Sequence, residues 1–590
     1  MSAARSFATN LPPRATALAA VQAMRDIDVL VVGGGINGAG TFRDLALQDV
    51  GVLAVDRVDW GAGASMASSR MAHGGLRYLE NGEFRLTAEA TRERNRLLRA
   101  AGHMIRPLPM AIPFFSHGAG LLTSVKRVLG FSASLRERGF VMAEIGLLLY
   151  DWFGRFDRST PLHRAMLSRG VRRLFPALHP AVRAASVYYD AVIDAPERIA
   201  VEMIAEGLDA SPRSMALNHC ALVAIQGSDV VLRDEISGRC FTLRPKVVVN
   251  AAGAWIDLAN GALGIDRPLM GGTKGSHIVI DHPGLFKALS GHGMIFDDGA
   301  GRVCIIYPIR GKVLLGATDI PVENPDLAHC SEDEEDYLLA AARVIFPKID
   351  FGREHVVFRF CGVRPLPKSG ATTPGAVSRD HAIAIFEPEG DRSFPILNLV
   401  GGKWTTFRAF SAQVCEAVMQ RLGSGRSVDT GDRAVGGGQG MAQAPARQAL
   451  ARSLADRHGL SPERSEVLVN RYGAGAQAVA AFLAEGTDAP LADAPSYSER
   501  EILRLVRCEM AASVEDIIFR RTTLAIDGML STAMLERISA ILCEETGGDP
   551  ADGLRDLSHL IERLRIRHAV QRLRDCPPPP SHLNTLEQRP

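Results

Sequence analysis

Asp28-Val-Leu-Val-Val32, Gly33-Gly-Gly35-Ile-Asn-Gly38 and Val52-Leu-Ala-Val-Asp56 together decide the fold of this chain. After Asp28 the first run is wholly aliphatic, the pattern of a strand buried on both faces. Glycines then stand at the spacing a strand-to-helix turn needs. Gly33 permits the tight turn, Gly35 the close approach of a pyrophosphate, and Gly38 close packing of helix on strand; Asn37 lies in the same turn. The next apolar run ends on Asp56, about 20 residues on, where a carboxylate can hold a ribose hydroxyl. A lone glycine-rich turn says little. With a strand before it, a helix after it and an acid closing the second strand, it reads as a dinucleotide-binding βαβ unit.

The stretch that follows, Ser65-Met-Ala-Ser-Ser-Arg-Met-Ala-His-Gly-Gly-Leu-Arg-Tyr-Leu-Glu80, is polar and glycine-bearing. Its hydroxyls and Gly74-Gly75 suit close contact with a bulky cofactor, and Arg77-Tyr78 can reach a substrate. On these residues the chain resembles the FAD-dependent glycerol-3-phosphate dehydrogenases, whose equivalent segment reads Ser-Ser-Lys-Leu-Ile-His-Gly-Gly-Leu-Arg-Tyr-Leu. The resemblance recurs at Tyr150-Asp-Trp-Phe-Gly154, Tyr189-Asp190, Asn250-Ala-Ala-Gly253-Ala-Trp255 and Lys274-Gly-Ser-His277. It continues through Gly316-Ala-Thr-Asp319, Gly362-Val-Arg-Pro365, Gly401-Gly-Lys-Trp-Thr-Thr406, Arg471-Tyr-Gly473 and Glu515-Asp-Ile-Ile-Phe-Arg-Arg-Thr522. It covers about residues 27–522, in the family's order.

The resemblance implies an α/β fold followed by an α domain. A Rossmann-like FAD-binding domain is built from separated segments, as in glycine oxidase and D-amino-acid oxidase. An antiparallel-sheet substrate domain is inserted in it, and a helical domain ends the chain. The implied cofactor is FAD, held by Gly33, Gly35, Asn37, Gly38, Asp56, Ser68, Ser69, His73, Gly74, Gly75, Val223, Ala252, Gly253, Gly402, Lys403 and Thr405. The implied reaction oxidises sn-glycerol 3-phosphate at C2 to dihydroxyacetone phosphate by hydride transfer to flavin N5, and electrons then pass to a membrane quinone. Several positions depart from the family pattern: Arg70 for lysine, Ala72 for a bulky aliphatic, Ala252 for threonine, Phe360-Cys361 for serine, and Trp404 and Phe407 for leucine and tyrosine. These leave the redox core intact and alter the hydroxyl and volume pattern of the pocket, so a related polyol phosphate stays open as substrate.

Flavin-dependent alcohol oxidation asks the protein to place a carbinol C–H, accept a hydroxyl proton and stabilise charge near flavin N1. Gly401-Gly-Lys-Trp-Thr-Thr406 lies between a buried strand and a helix, so its amides and the helix's positive end can face that charge. Lys403 adds a cation there or, if desolvated, a base. Helix starts disfavour cations, which argues against a purely structural lysine. A phosphorylated substrate needs fixed cations, preferably arginines that grip oxygens in pairs. Arg364 and Arg77 are the best placed of many arginines: only eight of the 67 basic residues are lysines. That scarcity also singles out Lys274, inside a glycine-flanked motif, as a substrate contact. Tyr78 can bond substrate or pack as core. His277 is a candidate general base, since free imidazole titrates near neutrality; the alternative is a hydrogen-bonded structural histidine. The catalytic set expected is therefore Arg364, Lys403, Arg77, Tyr78 and His277, with Arg77, Tyr78, Lys274, Arg364 and Lys403 touching substrate.

Bulk properties narrow the class. A chain of 590 residues, 46% hydrophobic and 23% charged, builds two or three globular domains. Its net charge of +1 gives no field that points to nucleic acid. The nine cysteines show no CxxC and no regular spacing, which fits a reducing compartment and predicts no metal site. No apolar run reaches the ~20 residues a spanning helix needs, and the start lacks a secretory signal. The expected location is cytoplasmic, peripheral on the inner membrane face, with no transmembrane segment.

The expected organisation is an N-terminal extension over 1–26, frayed rather than a transit peptide; an FAD-binding domain over 27–110, 216–265 and 371–423; and a substrate domain over 111–215 and 266–370. A flexible linker is expected over 424–443, containing Gly436-Gly-Gly438, then helices over 444–576 and a disordered tail over 577–590. Two basic amphipathic stretches, residues 121–153 and 554–573, are candidates for an anionic lipid surface; each can equally pack its stripe into a core. Three other readings remain: an amino-acid oxidase on the same fold, an oxidase using O₂, and a non-catalytic flavin-binding protein. Oligomeric state is not fixed by the sequence, and a homodimer stays open.

Overall fold

The computed structural model describes residues 7–76, 79, 82–116, 139–155, 157–298, 302–368, 380–570 and 573. Its first sheet runs, edge to edge, Ala382–Phe386, Ile396–Val400, Cys240–Asn250, Asp26–Val32, Val52–Val55 and Met215–Leu217. Val32 is in parallel register with both Val55 and Asn250, so three strands end at one level. Strand order reverses at Asp26–Val32, which puts the glycine turn in the crevice where open α/β sheets bind ligands. Val29, Leu30 and Val31 are fully buried, as the aliphatic run requires, and the helix Ile36–Leu47 covers the sheet with Phe42 and Leu45. The hairpin Cys220–Gln226/Asp229–Asp234 extends this layer, and its register slips between Leu222 and Ala224, leaving Val223 out of the ladder.

The second sheet has ten strands. Thr273–Ile280 is central to the substrate side, paired antiparallel with Lys312–Gly316 and Val356–Arg364. Residues two apart share a face, so Gly275 and His277 look one way and Lys274 and Ser276 the other. The C-terminal helices pack on the face of this sheet that also bears His277: Tyr307, Phe358 and Phe360 share a core with Ile502, Ile518, Leu535 and Leu564. Among the described residues no helix is long and apolar enough to cross a membrane.

Four expectations about organisation change. The substrate sheet takes in Met71–Ala72 and the strand Ile105–Phe114, both begun before 111, and the helix Pro196–Ala210 belongs with the cofactor sheet, where Ile199 and Met203 join the core around Phe42. Residues 7–26 are not frayed: Arg14–Gln22 is a helix, Leu11 and Val21 are buried, and Arg14 pairs with Asp234 at 2.5 Å. Gly436–Gly438 is not a flexible linker. It is a buried turn, and a side chain at Gly437 would meet the Tyr472 carbonyl oxygen at 2.1 Å. The helix Pro550–His568 packs Leu557, Leu560 and Leu564 into the core, the alternative to a lipid surface for this stretch, while Leu554 stays exposed. Residues 117–138 and 574–590, with the basic part of the first amphipathic stretch and the expected tail, lie outside the described residues.

Candidate active site

The glycine turn has no room for side chains. A Cβ at Gly33, whose φ is +107°, would lie 2.6 Å from the Ala251 carbonyl oxygen, and one at Gly38 would lie 1.8 Å from that of Gly33. The loop after the second strand folds back onto this turn at three points. Asp56 accepts the Gly34 N–H at 2.7 Å, the Gly61 N–H donates to the Gly34 carbonyl at 2.9 Å, and Ser65 Oγ accepts the Ile36 N–H at 2.8 Å, capping the helix. Trp60 fills the space under Gly34 with no exposed surface. Burial pushes the Asp56 carboxyl up, while the Gly34 and Val58 amides pull it down.

Residues 65–75 form a wall shared by the two sheets. On the cofactor side, the His73 N–H donates to Thr405 Oγ1 at 3.0 Å and Thr405 returns a bond to the His73 carbonyl at 3.2 Å. Gly401 and Gly402 precede Thr405 with φ of +75° and +91°, the left-handed region open to glycine. A Cβ on Gly402 would meet Asn37 Nδ2 at 2.7 Å, which brings this loop onto the glycine turn. Lys403 is half-buried in the same loop. On the other side, Ser69 Oγ lies 2.8 Å from His277 Nε2, Tyr307 donates to the Ser69 carbonyl, and a Cβ on Gly362 would strike the Ala67 carbonyl. Ser68 accepts the Arg70 N–H, and Arg70 is locked on Glu197.

The Gly74 N–H is held by Asp190 at 2.8 Å, and the same carboxylate oxygen accepts Tyr150 O–H at 2.6 Å. Arg94 donates to Tyr150 at 2.8 Å and to the Tyr189 carbonyl. Burial raises the Asp190 carboxyl, and Arg94 opposes it. This trio, together with Ser65 and Trp60, was not assigned a role from sequence; the motifs around Tyr150 and Asp190 were its only trace.

His277 stacks on Phe360 with ring planes 7° apart, and burial, then Arg364, push its pKa down to about 3. A base that weak does not compete for a hydroxyl proton near neutrality, which favours the structural alternative for His277, a neutral imidazole hydrogen-bonded to Ser69, over the general base. Arg364 lies flat over Gly275, donates to the Thr318 carbonyl at 3.0 Å and pairs with Asp319 at 3.0 Å. Lys274 departs from expectation. Strand alternation turns it to the opposite face, where it pairs with Glu334 at 2.6 Å and the His329 carbonyl. Glu334, the capping-box residue of the helix Glu332–Ile345, also accepts from Ser276 and Thr318. Arg77 and Tyr78 lie outside the described residues. Ala252 donates to Asn250 at 3.3 Å, and Gly253, at φ +60°, has open space where a side chain would stand.

Asp59, His219 and Asp516 have metal-like spacing. Arg520 and Arg521 already neutralise both carboxylates, so a cation there would displace two buried guanidiniums.

FAD fits these residues. The glycine turn lies in the crevice at the strand ends, Val223 keeps its backbone groups outside the ladder, and the buried Asn37 Oδ1 has no hydrogen-bond partner among the described residues. Fold and site define an FAD-dependent oxidoreductase. A family model described as FAD dependent oxidoreductase matches residues 28–385, and one described as the C-terminal domain of alpha-glycerophosphate oxidase matches 428–552. A glycerol-3-phosphate dehydrogenase of Synechocystis is 30% identical over 522 residues, covering 85% of this chain and 89% of that protein. A D-erythritol 1-phosphate dehydrogenase of Brucella abortus is 32% identical over 516 residues, covering 84% and 94%. The glycerol-3-phosphate dehydrogenase of Bacillus halodurans, solved with FAD, superimposes with a TM-score of 0.74 at 22% identity, covering 96% of this chain and 99% of that one. The chain belongs to the FAD-dependent glycerol-3-phosphate dehydrogenase family.

Proposed function

We propose that the protein oxidises sn-glycerol 3-phosphate at C2 to dihydroxyacetone phosphate and passes the electrons to a membrane quinone. When bound, FAD supplies the hydride acceptor. Arg364 carries the reading: its guanidinium is fixed by Thr318 and Asp319 on the face that also bears His277, ready to take phosphate oxygens as a fork. Thr318 is itself held by Glu334, so a rigid chain of contacts aims Arg364. Arg77 and Tyr78 are assigned to the substrate on the family resemblance of the motif at 74–79. Neutral His277, oriented by Ser69, offers a hydrogen bond to the carbinol oxygen without adding charge. Lys403 is the group with the chemistry to take the hydroxyl proton or, as an ammonium, to face developing negative charge.

Anaerobic bleaching of the flavin tests this. Glycerol 3-phosphate bleaches it at low concentration and amino acids do not; bleaching by glycine or proline alone would make Arg364 a carboxylate anchor. The 32% identity to the D-erythritol 1-phosphate dehydrogenase supports a second reading, a four-carbon polyol phosphate, and faster bleaching by that compound would select it. Peroxide yield with and without a quinone analogue decides between quinone and O₂.

Peripheral docking on the cytoplasmic membrane face is supported by the helix Phe140–Phe153. Val141, Ile145, Leu148, Leu149 and Trp152 lie on one side of it, each at least 41% exposed, and Arg155 stacks over Trp152 at 4.0 Å. Apolar side chains with an interfacial tryptophan and arginine suit the headgroup boundary. Flotation with anionic vesicles tests it; a dimer in solution that buries this face, with no flotation, would assign the surface to a second copy.

A further inference from the structure

We infer that the C-terminal domain shapes the cofactor loop through Arg520 and Arg521, which position Asp59. The loop of residues 56–65 makes three hydrogen bonds with the glycine turn, at Asp56, Gly61 and Ser65. Asp59 stands in its middle with no exposed side-chain surface. Arg521 grips it as a fork, Nη1 to Oδ2 at 2.7 Å and Nη2 to Oδ1 at 2.9 Å. Arg520 Nε adds a third bond at 2.8 Å, and Asn218 a fourth at 2.8 Å. Both arginines lie in the π-turn Ile517–Arg521.

The arginines are fixed from behind. Arg520 is paired with Asp516 at 2.5 Å, and Arg521 donates to the Glu509 carbonyl at 2.9 Å. Glu509 in turn pairs with Arg198 of the cofactor domain at 2.9 Å. Asp59, Asp516 and Glu509 are thus each paired with buried arginines, Arg504 also reaching Glu509 at 3.6 Å, so removing Asp59 or Arg521 disturbs a buried charge network beside the loop. Asp59 is three residues from Asp56, and its neighbour Trp60 underlies Gly34. A shift at Asp59 is thus passed directly to the ribose acid and the glycine turn. The C-terminal domain, which carries none of the residues assigned to chemistry, acts here as a positioning element for FAD.

The inference rests on FAD binding and is independent of the substrate reading, so the test reads FAD affinity rather than turnover. FAD dissociation constants are measured by ultrafiltration for the holoenzyme and for Asp59→Asn, Arg521→Gln and Arg521→Lys. Expected are increases of tenfold or more for the first two and a smaller rise for Arg521→Lys, which keeps the charge and loses the fork. Arg507→Gln, which breaks the surface pair with Glu545 in the same domain, leaves affinity unchanged. Values within twofold of the parent for folded Asp59→Asn or Arg521→Gln overturn the inference. Should those variants not fold, Arg521→Lys decides by amide exchange: faster exchange at Gly34 and Gly61 supports the inference, and unchanged exchange at both overturns it.

Discussion

Thr405 Oγ1 accepts the N–H of His73 and donates to the carbonyl of the same residue, so one hydroxyl latches two loops that are 332 residues apart. Replacing it with valine keeps the volume and removes both bonds. Net hydrogen bonds contribute ~1 kcal/mol each, and a buried group left unmade costs more, so Thr405→Val should lose about 2–3 kcal/mol. The variant is expected to retain FAD and to turn over roughly tenfold more slowly, because Gly74-Gly75 would keep the Asp190 bond and a 3.4 Å bond from Thr87 but lose the tie to the 401–406 loop. Denaturant midpoints and single-turnover flavin reduction check both halves.

Arg364 should act on substrate and not on flavin. In Arg364→Ala the loss of a charged phosphate contact costs on the order of 2–5 kcal/mol, so KM rises by at least one to two orders of magnitude while the flavin-to-protein ratio holds. An unchanged KM would remove Arg364 from the phosphate site.

The cofactor fold was legible because its signals are local: aliphatic strands, glycines at fixed offsets, an acid closing the second strand. Lys274 shows where residue type misleads. Its rarity and setting suggested substrate, but strand alternation places it on the face opposite His277 and gives it to Glu334. The glycines of 436–438 look like slack in the sequence. Their reason is tight approach to Ala100 and Tyr472, partners too far away along the chain to be seen from the run itself. The same distance hid Asp59 and Arg521, separated by 462 positions, and the tie of the N-terminal helix to Asp234.

His277 should not appear in the pH profile. With its pKa near 3, the imidazole is neutral in folded enzyme throughout pH 5–9. His277→Gln is expected to lower kcat while leaving the inflections of kcat/KM in place. Loss of an inflection near neutrality in that variant would restore His277 as the base.

His219 titrates differently. Burial disfavours its charge and Arg520 repels it, but the Asp516 carboxylate at 2.9 Å, aided by Asp59, wins and raises its pKa. A pKa raised on folding adds stability that is complete below the unfolded value of ~6.5 and is lost as pH climbs through the folded value. The stability difference between the parent and His219→Gln should therefore be larger at pH 6 than at pH 9. Denaturant midpoints at the two pH values measure it, and an equal difference would mean that the Asp516 pair adds nothing.

Gly437 offers the cleanest test of a buried turn against a flexible linker. An added methyl would stand 2.1 Å from the Tyr472 carbonyl oxygen and 3.2 Å from His103 Nε2, and the Gly437 N–H already donates to Glu202 at 3.0 Å. Backbone cannot yield as a flexible side chain does, so Gly437→Ala must push the helix Pro462–Tyr472 away or break the Glu202 bond. Overpacking of this kind costs roughly 1–3 kcal/mol and sometimes more. Gly425→Ala, where a methyl meets open space, serves as the control from the same stretch. A clear drop in melting temperature for the first variant and none for the second is expected. Equal melting temperatures would mean that the chain between the cofactor domain and the helices is slack after all.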